Sequence, residues 1–85
     1  MSRQGTVAIV DREQSAVAIA VEGHGFTLIE LTSDWEVAVG DTLSWDNADA
    51  LGFETYRNAS RGTHDEVFVQ NHEVDEASMR LQLGL

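Results

Sequence analysis

Apolar and polar side chains alternate with a period of two along most of the chain, which is the pattern of strands that bury one face. In residues 16–22, for example, Val17, Ile19 and Val21 alternate with alanines. This segment predicts a strand with one buried face and a second face that another element approaches closely. Six segments of this kind are separated by turns rich in Gly, Asn, Asp and Ser: residues 6–10, 16–22, 26–31, 42–46, 53–58 and 66–72.

The C-terminal segment, residues 75–85, fits two structures. Apolar and polar residues alternate from 79 to 85, as in a strand. The segment is also rich in helix formers, with Asp75 at an N-capping position and Gly84 at a C-capping position. These signals favour a short helix with an apolar face made of Val74, Ala77 and Leu81.

Short strands that recur every 8–12 residues or so between turns predict a sandwich or a barrel. A chain of 85 residues forms one domain, here residues 1–85. At this size a closed barrel is favoured, because closure leaves no sheet edge exposed. We therefore predict a mainly β protein, a small five- to six-stranded barrel with the short C-terminal helix. Its predicted core consists of Val7, Ile9, Val17, Ile19, Val21, Leu28, Leu43, Val67 and Val69.

Three signals within residues 4–46 resemble those of OB-fold domains, with the S1 and cold-shock branch nearest. They are Gln4-Gly5-Thr6-Val7, Gly23-His24-Gly25-Phe26 and Val39-Gly40-Asp41-Thr42-Leu43-Ser44-Trp45. The resemblance implies an OB-like barrel whose first paired strands carry aromatic and basic residues for nucleic acid. Here the same strands carry Val, Ala and Ile with Asp11, Glu13 and Glu22, which departs from that family's binding surface.

Charge changes the functional expectation. Fifteen Asp and Glu stand against five Arg and no Lys, so the formal net charge is -10. Nucleic-acid binding depends largely on Lys and Arg that displace counterions from phosphates, so the charge argues against it. A field of this sign attracts cationic surfaces instead.

The chain offers few groups for chemistry. It has no Cys, which excludes disulfides, thiol nucleophiles and thiolate metal sites. His64 and His72, with Asp65 and Glu66 nearby, lack the spacing of a metal motif, and no G-x-S-x-G elbow occurs. We predict no catalytic residues, no metal and no cofactor. No signal peptide is visible and no apolar run reaches the roughly 18 residues of a membrane span, so we expect a cytoplasmic protein that does not bind membranes.

The segment 53–62 is the one local exception to the acidic composition, since it holds two of the five Arg. Together with Trp45 it suggests a surface for base stacking and phosphate contacts. If Phe53 faces the core, strict alternation turns Tyr56 outward. The candidate binding residues are Trp45, Tyr56, Arg57, Asn58 and Arg61.

A structural interpretation of the same residues competes with the binding one. In it, Trp45 and Tyr56 cover the barrel end, and the two arginines pair with the nearby acids Glu54, Asp46 and Asp49.

The charge and the candidate residues lead to two functional hypotheses. The leading hypothesis is a non-enzymatic module that docks on a protein partner with a basic face. The alternative is a single-stranded nucleic-acid binder that uses the candidate residues.

Overall fold

The computed structural model of the protein describes residues 2–85, which form a closed six-stranded antiparallel barrel followed by one helix. The strands are β1 (Arg3–Asp11), β2 (Ala16–Ala20), β3 (Phe26–Leu31), β4 (Thr42–Trp45), β5 (Gly52–Asn58) and β6 (Thr63–Val74), and the helix is α1 (Glu76–Leu83). This architecture confirms the predicted fold class and the helical interpretation of the C-terminus. It is compatible with an OB-like barrel.

The barrel consists of two three-stranded meanders, and its strand order is β1-β2-β3-β6-β5-β4. The connection after β3 carries the chain across the barrel, so that β4 pairs with β1 from Thr6↔Thr42 to Arg3↔Trp45. β1 therefore lies between β2 and β4, and the approach to β2 is close at Gly5. A Cβ at Gly5 would lie 2.6 Å from the Ala20 carbonyl oxygen, so no larger residue fits without a shift.

The barrel interior is the main core. Trp35 and Val37, from the connection between β3 and β4, join side chains from every strand. The buried members are Val7, Val17, Ile19, Val21, Ile29, Trp35, Val37, Leu43, Trp45, Tyr56, Val67 and Val69. Seven of the nine predicted core residues are in this cluster, namely all but Ile9 and Leu28.

A second, smaller core lies between α1 and the outside of the barrel. Met79 and Leu83 of α1 pack with Ala18 and Leu28, and Ala16 packs against the same cluster. The alanine face of β2 is thus approached by another element, as its small side chains predict. Leu28 is buried as expected, but beneath the helix.

Two predicted faces are wrong. Ile9 is only half-buried and packs in the outer cluster, because the β1–β2 register shifts between Val7 and Ile9 and breaks the strict alternation. On α1 the buried residues are Met79 and Leu83, whereas Ala77 is exposed and Leu81 is 79% exposed. With eight residues, α1 is too short to cross a bilayer, and no helix within residues 2–85 is long and apolar enough to do so.

Candidate functional site

Trp45 and Tyr56 lie inside the barrel. Their rings stack with centroids 4.4 Å apart and planes 5° from parallel, and their exposed fractions are 1% and 0%. The expected outward position of Tyr56 is wrong, since it is Phe53 that points outward, with 61% of its surface exposed. In this conformation neither stacked ring is accessible to a nucleic-acid base.

The stack is part of an aromatic column whose third member, His72, is half-buried. His72 of β6 lies beside Trp45, with ring centroids 6.4 Å apart. Its Nε2 is 2.9 Å from the Ala50 carbonyl oxygen and its Nδ1 is 3.0 Å from Thr27 Oγ1. Because a carbonyl only accepts hydrogen bonds, Nε2 carries the hydrogen in this contact. The column thus ties β4, β5 and β6 to one another and to the loop before β5.

The hydroxyl of Tyr56 lacks the hydrogen bond that the other buried side-chain polar atoms of the described residues make. It is buried and makes no hydrogen bond within the described residues. Burial raises the pKa of Tyr56 well above its ordinary value, and the charge of Glu54 raises it further against the opposing charge of Arg3. A phenol held neutral in this way cannot serve as a base at ordinary pH.

Asn58 and Arg61 belong to a network centred on Asp41. One oxygen of Asp41, Oδ2, accepts hydrogen bonds from Asn58 Nδ2 at 2.9 Å, from Arg61 Nε at 2.7 Å and from the backbone N–H of Ala38 at 3.0 Å. These donors, with the Arg61 bond first, lower the pKa of Asp41 from 3.8 to about 2, although desolvation opposes them. The network joins the connection before β4 to the turn between β5 and β6.

Asp41 was not among the predicted site residues. The signal that could have found it is the Gly40-Asp41 turn itself, which resembles the entry to a barrel strand. The partners were beyond prediction, because Asn58 and Arg61 are brought to Asp41 only by barrel closure. Asn58 is 1% exposed, so in this arrangement its amide serves the fold.

Arg57 lies on the open surface, and its carboxylate partner Asp46 is exposed as well. It points outward from β5, and its guanidinium contacts Asp46 through two hydrogen bonds of 2.7 and 3.3 Å. The pair lowers the pKa of Asp46 and raises that of Arg57. Asp46 is the partner that the structural interpretation predicts for an arginine of this segment, whereas Arg61 pairs with Asp41 instead.

All five arginines are engaged in the part of the chain that the structure describes. Four pair with carboxylates, and Arg12 donates to the Val37 carbonyl at 2.9 Å. The pairs are Arg3–Asp49 at 3.4 Å, Arg57–Asp46 at 2.7 Å, Arg61–Asp41 at 2.7 Å and Arg80–Glu76 at 3.2 Å. Within residues 2–85 most of the fifteen carboxylates therefore have no arginine partner, and the surface field is negative.

The outer face of β5 and β6 carries an aromatic pair of exposed Phe53 and half-buried Phe68, which we call the Phe53–Phe68 patch. The two residues are direct cross-strand partners, and their rings meet edge to face with centroids 5.1 Å apart. The sequence predicts the outward position of Phe68, because Phe68 lies between the predicted core positions Val67 and Val69. It did not predict the outward position of Phe53, because Phe53 was assigned to the core.

A cavity of about 530 Å³ opens near the start of β1. Arg3, Glu22, His24 and Asp49 line it, so its walls carry charges of both signs. Arg3 is already bound there to Asp49 and to the Ala48 carbonyl at 3.5 Å. Within residues 2–85 no three His, Asp or Glu side chains are grouped so as to hold a metal ion.

Fold and surface together define a small acidic β-barrel with an exposed aromatic patch and arginines that are all engaged. No protein-family model, curated protein or solved structure matches the chain.

Proposed function

We propose that the protein is a non-enzymatic binding module that docks on a protein partner with a basic face. The observation that carries this proposal is that the positive side chains are engaged whereas most of the negative ones are not. Every arginine already has an acceptor within the described residues, while most carboxylates lack an arginine partner. The cationic groups that could bind phosphate are thus occupied, and the free charge is of the sign that attracts a basic surface.

The negative field favours encounter with such a partner. Complementary charges mainly raise the association rate and the specificity of a complex, and their effect weakens as salt screens them. The same field opposes single-stranded nucleic acid, which would have to displace Asp46 from Arg57 or Asp41 from Arg61. Two or three phosphate contacts would add little affinity against that opposition.

We further propose that the barrel is an OB-like fold related to the S1 and cold-shock branch. Three signals support this relation. Gly5 lies where β1 approaches β2 closely, Gly25 lies in the reversal before β3, and Asp41 anchors the entry to β4. The sixth strand departs from the usual five-stranded OB barrel. The function proposed above depends on surface charge and does not require this relation.

The test begins with immobilised protein, from which bound partners are identified by mass spectrometry and then purified. We expect a purified partner with a positive binding face, and a Kd that rises at least several-fold between about 50 and 150 mM salt. A matched titration uses a mixed-sequence single-stranded oligonucleotide at about 150 mM salt. Arg57→Ala is the appropriate variant there, because Arg57 is exposed whereas Tyr56 is needed in the core.

Two results contradict the proposal. One is a set of purified partners whose affinity does not change with salt. The other is an oligonucleotide Kd below about 1 μM, which corresponds to roughly -8 kcal/mol, that is lost in Arg57→Ala. The second result favours the nucleic-acid alternative.

A further inference from the structure

We infer that the Phe53–Phe68 patch is the docking surface, and that its occupant is a basic segment of a partner protein that places an apolar side chain against the two rings. This inference rests on the proposed function and specifies where on the barrel the partner binds and what chemistry it presents.

The first support is exposure. Phe53 lies in β5 with 61% of its surface exposed, and Phe68 beside it is half-buried. Polar side chains are the usual occupants of the solvated face of an antiparallel sheet. Two adjacent aromatic rings on such a face match the centre of an interface, where aromatic anchors contribute most of the binding energy.

The second support is the charge around the rings. Glu30 lies opposite Phe68 on β3, and Glu66 lies two residues before Phe68 on the same outward side of β6. Both are exposed, and neither side chain makes a hydrogen bond or ion pair within residues 2–85. Arg57, further along the face, is already bound to Asp46. An apolar centre with a carboxylate rim is complementary to an apolar side chain flanked by Lys or Arg.

The negative charge of the chain also favours a basic segment over a second copy of the chain or a nucleic acid as the occupant. A second copy of the chain would bring two molecules of net charge -10 together and place identical carboxylate rims against each other. Like charges opposed across an interface repel each other, so self-association through the patch is disfavoured. The same carboxylates repel the phosphates of a nucleic acid.

The experiment uses the full chain and a display library of random 12-residue peptides as the probe. Enriched peptides are synthesised and their Kd is measured by fluorescence anisotropy against wild type, Phe53→Ser and Leu81→Ser. Leu81 is a matched control, since it is also a large apolar residue with 79% exposure, but it lies on α1. We expect peptides with basic residues flanking an apolar anchor. Phe53→Ser should raise their Kd at least about tenfold, whereas Leu81→Ser should change it less than about twofold.

A rim variant and a mapping experiment complete the test. Glu66→Lys should weaken the same peptides and reduce the salt dependence of their binding. Amide chemical-shift changes in the wild-type protein should centre on residues 53–55 and 66–68, which keeps the test valid even if Phe53→Ser alters the fold. Shift changes centred on another face overturn the inference.

The remaining outcomes separate the inference from the proposal on which it rests. If basic peptides bind Phe53→Ser as tightly as wild type, the patch is not the site, and the proposed function stands. Enriched peptides without basic residues, or no enrichment at all, overturn the inference, whereas the proposed function is decided by the salt dependence of purified partners and by the oligonucleotide titration. A wild-type dimer in sedimentation that Phe53→Ser dissociates identifies a second copy as the occupant and overturns the inference.

Discussion

Trp45 and Tyr56 stack face to face inside the barrel, with ring centroids 4.4 Å apart and planes 5° from parallel. The stack buries the Tyr56 hydroxyl without a hydrogen-bond partner in the described residues. An unsatisfied buried hydroxyl lowers stability, so Tyr56→Phe should raise the free energy of unfolding by about 1 kcal/mol while preserving the stack. Urea denaturation followed by tryptophan fluorescence measures this change.

Tyr56→Ala is the control for the stack. It removes the ring from a fully buried site and should cost about 3–5 kcal/mol, as large aromatic truncations do. If Tyr56→Phe instead lowers stability by more than about 0.5 kcal/mol, the hydroxyl has a partner that this arrangement lacks.

The buried face of α1 can be tested with two residues of similar size. Met79 is 2% exposed and Leu81 is 79% exposed. Met79→Ala should lower the free energy of unfolding by about 2–5 kcal/mol, because it leaves a cavity between helix and barrel. Leu81→Ala should stay within about 0.5 kcal/mol of wild type. Equal losses would mean that α1 packs with a different face.

Alanine substitutions at Gly23 and Gly25 distinguish the cost of backbone strain from the cost of a steric clash. Both have positive φ, 76° and 64°, so an alanine at either position is strained by roughly 1–2 kcal/mol. A Cβ at Gly23 meets nothing within 4 Å, whereas one at Gly25 would lie 2.6 Å from the Val74 carbonyl oxygen. We expect thermal unfolding to show a clearly lower Tm for Gly25→Ala than for Gly23→Ala, and matching values would refute the close approach.

Asp41 should make stability depend on acid pH. Its pKa is lowered from 3.8 to about 2 in the folded protein, so the unfolded chain takes up a proton first as the pH falls. The ionised carboxylate therefore contributes its full stabilisation above about pH 4, and this contribution is lost as the pH falls through about 2. Denaturation between these pH values should show a shallower loss in Asp41→Asn than in wild type.

The remaining acid dependence in Asp41→Asn has a structural source. The pKa values of Asp46 and Asp75 are also lowered, by the Arg57 pair and by the backbone N–H of Ser78 respectively. These two groups act in the same direction and persist in the variant. Identical pH slopes for Asp41→Asn and wild type would exclude the Asp41 network as a contributor.

The sequence predicted much of this barrel because alternation is a local property. It located the strands, the alanine face of β2 and the C-terminal helix. It failed at Ile9, where a register shift reverses the alternation, and at Phe53 and Tyr56. These two aromatics lie three positions apart and so face opposite sides of the strand, and both have the size and apolarity of a core residue. Their assignment is decided by the stack with Trp45 on another strand, which no local pattern contains.

Closure of the barrel also limits how a partner can bind. Each of the six strands is hydrogen-bonded to a neighbour on both sides within the described residues. A partner therefore finds no strand that lacks a neighbour on a whole side, although the β4–β5 pairing is short, at Leu43↔Asn58 and Ser44↔Arg57. β-augmentation along a full strand, a common mode of peptide recognition, requires opening the barrel first. Recognition by the intact fold therefore favours side chains on its outer faces, and a partner should be selected by its residues more than by an extended backbone.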